Sequence, residues 1–185
     1  MVGKLFKYEF LAFMRAVLPF QILMPSAALL LRIVQIFESD TAAYNTVFTS
    51  SLVMFIISIA VALVMTFATA ITRYYKNLFT YEGYLSFTLP VTERAHILTK
   101  LSVSVLWIII SVFVIIASIS IATMGEVFVE LCKAVAYMTE YLFTHGKWDF
   151  VFFIIEFVIL AICLISTALL LFYGCITVGQ LAKKN

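Results

Sequence analysis

Residues 48–72 read FTSSLVMFIISIAVALVMTFATAIT, a run without a single Asp, Glu, Lys or Arg. A helix needs about 20 residues to cross a hydrocarbon core ~30 Å thick, so this run is long enough to span a bilayer by itself. Three further apolar stretches are also long enough, at Val17–Phe37, Leu101–Thr123 and Phe150–Gly179. The whole composition agrees with four spans. Of 185 residues, 64% are hydrophobic and 12% charged, whereas a soluble domain is about 45–50% apolar and about 25% charged. The sequence therefore predicts an all-α, polytopic helical membrane protein, with residues 1–185 forming one membrane domain.

The first apolar run continues through Pro19 and Pro25 without a clear small-residue cleavage site, so it is expected to stay as an anchor rather than act as a signal peptide. Between the spans the cations sort by side. Lys4, Lys7, Arg15, Arg73, Lys76, Arg94, Lys100, Lys183 and Lys184 fall in the N-terminal tail, the second connection and the C-terminal tail. The first connection has none and the third has Lys133 and Lys147. The positive-inside rule then predicts a multi-pass protein with both termini and the Arg73–Lys100 connection in the cytoplasm; the membrane expected is the plasma membrane.

Two segments outside the spans carry helical periodicity. From Lys4 to Arg15, Leu5, Phe6, Phe10, Phe13 and Met14 share one face, which predicts an interfacial helix before the first span. In the third connection Phe128, Leu131, Val135, Met138 and Leu142 alternate with Glu126, Glu130, Lys133, Tyr137 and Glu140. That pattern predicts an amphipathic helix on the outer surface, with Tyr141 and Trp148 suited to an aromatic belt.

Chemistry of the enzymatic kind is scarce. The net charge of +2 comes without a basic run, which leaves nucleic acid no electrostatic footprint. His96 and His145 fall on opposite sides of the predicted membrane, where each reads as a solvated interface residue, and no zinc motif or other metal site is expected. Cys132, Cys163 and Cys175 have no CxxC spacing. Gly174 and Gly179 match the opening of a phosphate loop, but Gln180 and Leu181 stand where it needs Lys and Ser or Thr; the glycines are read as helix packing. No cofactor is expected.

Within the spans, Ser58, Ala62, Thr66 and Ala70 recur every four residues and Ser104, Ser111 and Ser118 every seven. Such stripes permit close helix approach, with a polar translocation path as the functional alternative. Arg32 and Glu156 are the only charges inside the predicted spans. Each lies roughly 7–9 Å from the same boundary at ~1.5 Å rise per residue, so their depth allows an intramembrane charge pair, the alternative being independent snorkelling or contact with another subunit.

The second connection reads YEGYLSFTLPVTERAHILTK from Tyr81 to Lys100. Gly83 permits a turn, Pro90 restricts Leu89 to extended geometry and Thr92 can cap a helix starting at Glu93. This stretch resembles the intracellular connection of type-2 ABC exporter permeases, which carries Glu-Gly-x-Leu, then Leu-Pro-x-Ser/Thr, then Leu-x-Lys. Glu82, Gly83 and Leu85 match the first part, Leu89, Pro90 and Thr92 the second, Leu98 and Lys100 the third. Lys7, Tyr8, Glu9 and Phe10, with Arg15, are also similar to the start of such permeases.

The resemblance implies a permease subunit that catalyses no covalent reaction itself. It would pair with a second permease subunit, as a homo- or heterodimer, and dock an ABC ATPase subunit through Glu82, Gly83, Leu85, Phe87, Leu89, Pro90, Thr92 and Arg94. It also implies six spans, of which the last two are not found in this sequence. The alternative is a four-span membrane scaffold, immunity or assembly protein without transport activity.

Overall fold

Long apolar runs without charge favour uninterrupted helices, because in lipid every backbone N–H and C=O must be satisfied within its own segment. The computed structural model describes residues 2–37, 41–79, 93–123, 125–145 and 149–183. Its elements are α1 (Val2–Ile36), α2 (Ala42–Phe79), α3 (Glu93–Ala122), α4 (Glu126–His145) and α5 (Asp149–Lys183), and no strand occurs among the described residues. Helices α1, α2, α3 and α5 are each long and apolar enough to cross a membrane. The chain is therefore an all-α, polytopic helical membrane protein.

Every spanning helix outruns its apolar window. Residues 4–15 are helical, as their periodicity predicts, but they continue without a break through Pro19 and Pro25 instead of forming a separate element. Each proline removes one N–H from the helical ladder. Helix α2 extends to Phe79 and α3 begins at Glu93, so the expected Arg73–Lys100 connection narrows to residues 80–92.

Local signals set the helix ends. Thr41 caps α2, its Oγ1 accepting from the Tyr44 N–H at 3.3 Å. Helix α3 ends at Ala122, and Gly125 follows with a φ of 81°, which is open to glycine without strain. The Gly125 N–H donates back to the Ser120 carbonyl at 2.7 Å, closing the helix before α4 begins.

The described contacts fall into two compact units. The first gathers Met1–Pro19, Leu63–Ser111 and Ile162–Asn185. Its core is Phe13, Val17, Ala70, Val103, Val105, Trp107 and Leu169. Here Phe10 and Phe13, one helical turn apart on α1, both stack on the Trp107 ring at 5.1 and 5.8 Å between centroids. The predicted small-residue stripes meet in this unit, where Thr66 and Ser111 share a hydrogen bond of 3.3 Å.

The second unit gathers Phe20–Ala62 and Val112–Ala161. Its core is Ala27, Ala28, Leu31, Phe55 and Ala122, with Ser58 and Ser118 also buried. Helix α4 is amphipathic, and Leu131, Val135 and Met138 on its apolar stripe are exposed. The α5 segment of this unit is exposed from Phe152 to Leu160. Only 6% of the apolar window of α5 is buried, against 28–33% for the other three spans, so α5 is the least packed of the four candidate spans.

Candidate functional site

The periodicity that places Phe6, Phe10 and Phe13 on one face of α1 carries Glu9 with them. Its carboxylate meets two cations from two other helices. Arg73 on α2 donates through Nη2 to Glu9 Oε2 at 3.1 Å, and Lys100 on α3 donates through Nζ to Glu9 Oε1 at 2.6 Å. These are charge-assisted hydrogen bonds, the stronger class. Relative side-chain exposure is 13% for Glu9, 7% for Lys100 and 25% for Arg73. Water therefore screens the Glu9–Lys100 contact least.

A polar layer lies against this charge bridge. The rings of Tyr74 and Tyr173 stack at 3.8 Å between centroids with 4° between planes. Tyr173 shares a hydrogen bond with Ser104 and Tyr74 one with Thr177, both at 3.2 Å. Glu9, Arg73, Tyr74, Lys100, Ser104 and Tyr173 enclose a cavity of only about 10 Å³, at the lower limit for a single water. The cluster is thus a packed ionic joint between α1, α2, α3 and α5, not a ligand pocket.

The sequence alone predicts Arg73 and Lys100 in an aqueous connection and Arg32 and Glu156 as the only embedded charges. The structure differs because α2 and α3 extend past their apolar windows, carrying both cations onto helix faces where Glu9 reaches them. Arg32 instead donates to Gln35 Oε1 at 3.3 Å, and Glu156 is exposed. Among the described residues the two ion pairs both run to Glu9, so Arg32 and Glu156 are not brought together.

His96 also departs from expectation. Its sequence context predicts a solvated side chain, but it is 4% exposed and its Nε2 has no hydrogen-bond partner among the described residues. The cause is the early start of α3, which puts His96, Thr99, Lys100 and Val103 on one buried stripe. Gly174 and Gly179 do not act as close-packing positions, since a Cβ at either would meet nothing within 4 Å. Among the described residues no group of three His, Cys, Asp or Glu could hold a metal ion.

Of the expected docking residues, Arg94 lies in the first turn of α3 and is exposed. Glu82, Gly83, Leu85, Phe87, Leu89, Pro90 and Thr92 lie outside the described residues. What sequence reasoning missed is Glu9 as the hub. The available signal was the sharing of one predicted membrane side by Glu9, Arg73 and Lys100. No protein-family model matches the chain, and no curated protein or solved structure matches it.

Proposed function

We propose that this chain is a membrane permease subunit of an ATP-driven ABC exporter, coupling hydrolysis by a separate ATPase subunit to substrate export. It lies in the plasma membrane with both termini and residues 80–92 in the cytoplasm, and it acts beside a second permease subunit. One observation carries this reading. Two positions quoted for the family resemblance, Glu9 and Lys100, form the shortest ion pair described, at 2.6 Å. With Arg73, that pair ties α1 to the helices on both flanks of residues 80–92. A force applied to this connection by a docked ATPase would reach three helices through one carboxylate. Charge placement supports the topology, and Glu9, Arg73 and Lys100, all on the side assigned to the cytoplasm, meet in one unit.

The scaffold reading has its own support. Ser58 and Ser118 donate to carbonyls of their own helices, and Thr66 bonds Ser111, so these hydroxyls serve packing instead of an open polar path. Co-purification separates the two. The chain, isolated from native membranes in mild detergent, should bring an ATP-hydrolysing partner identifiable by mass spectrometry. Replacing Leu85 and Phe87 together with Asp should release that partner while the helix content stays unchanged. A partner retained by the double variant refutes the docking role, and absence of any ATPase from the wild-type preparation favours the scaffold.

A further inference from the structure

Arg32 and Glu126 line one cavity of about 400 Å³ in the second unit, with Gln35, Tyr44, Phe48 and Thr123. That volume lies within the usual range for small-molecule sites, about 300–1,000 Å³. Its walls are helix ends: the last turns of α1, the first turns of α2 and the α3–α4 turn built on Gly125. Three candidate spans end or begin there, at Ile36, Ala42 and Ala122, which sets the cavity at the level of lipid headgroups.

Opposite charges face this space without meeting. Arg32 is half-buried and, among the described residues, donates one hydrogen bond, to Gln35, while Glu126 is exposed and no ion pair joins the two. An embedded arginine defaults to a functional site with a partner to be named, and here Glu156 is not that partner. A guanidinium fork matches phosphate, and a carboxylate accepts an ammonium group. The stacked pair Tyr44 and Phe48, 6.1 Å between centroids, adds aromatic surface on which a cation is favoured.

We infer that this cavity binds a phosphate–ammonium zwitterion, with phosphate at Arg32 and ammonium at Glu126. The chemistry is that of a phosphatidylethanolamine headgroup or of free phosphoethanolamine. The inference does not depend on the permease reading.

Native mass spectrometry of the delipidated protein in detergent tests it with two lipids of identical acyl chains, phosphatidylethanolamine and phosphatidylglycerol. Wild type should bind the former about tenfold more tightly, the scale of one charge-assisted hydrogen bond. Glu126→Gln should abolish the preference, and Arg32→Gln should weaken both lipids. Glu126→Lys should reverse the preference toward the anionic lipid, a gain that unfolding cannot imitate. Displacement by added phosphoethanolamine would assign a soluble source, and its failure a lipid source. Equal binding of both lipids by wild type, or an unchanged preference in Glu126→Gln and Glu126→Lys, overturns the inference.

Discussion

Changing Glu9 to Gln keeps the shape of the ionic joint and removes its negative charge. Lys100, whose side chain is 7% exposed, then stays buried as an ammonium beside Arg73 with its bridging carboxylate gone. Breaking a buried pair in this way costs about 3–5 kcal/mol. Arg73, 25% exposed, keeps more contact with water and adds less. For a chain of this size 1 kcal/mol moves Tm by about 2–4 °C, so Glu9→Gln should lower Tm on the order of 10 °C. Restoring balance should restore stability: Glu9→Gln with Lys100→Met replaces the buried ions by neutral groups of similar volume, which is often neutral overall. Trp107 stacks on Phe10 and Phe13 in the same unit, so its fluorescence during heating in detergent reports the joint directly. Of the two tryptophans in the sequence, Trp148 is replaced by Phe to isolate this signal. A Tm for Glu9→Gln equal to wild type, or no recovery in the double variant, would refute the reasoning.

Tyr173→Phe keeps the 3.8 Å ring stack and loses the bond to Ser104, so it should cost about 1 kcal/mol, whereas Tyr173→Ala should cost about 3–5 kcal/mol by opening a cavity; parallel melts compare them. Gly174→Ala places a methyl in open space within a helix and should stabilise by about 0.5–1 kcal/mol in the same assay. Arg32→Leu and Glu156→Leu should combine additively within about 0.5 kcal/mol, because the two side chains do not meet; a larger coupling in the double-mutant cycle would place them in contact.

The four spans were legible because hydropathy over about 20 residues reports transfer into lipid, which is a local property. The small-residue stripes were legible for a related reason. Ser58, Ala62, Thr66 and Ala70 are all at or below 2% exposure, as a period of four on one helix face requires. Helix ends were not legible, since an apolar window marks only hydrocarbon depth and the ladder of α2 continues through Arg73, Lys76 and Phe79. That same extension hid the ionic joint. Glu9 lies 64 residues from Arg73 and 91 from Lys100, so only the assembled helices reveal that one carboxylate serves both. Arg32 is half-buried near the end of α1. Its depth matched Glu156, but depth leaves helix azimuth open, and azimuth decides which side chains meet.

The central claim of the proposed function is that residues 80–92, which follow α2 and precede α3 in the sequence, contact an ATPase. A photo-crosslinking amino acid at position 87, activated in intact cells expressing the full chain, tests it most directly. The account predicts a crosslinked product whose second chain, identified by mass spectrometry, carries an ATP-binding motif and whose yield falls with Glu9→Gln. A product confined to lipid, or to a protein without such a motif, would contradict it.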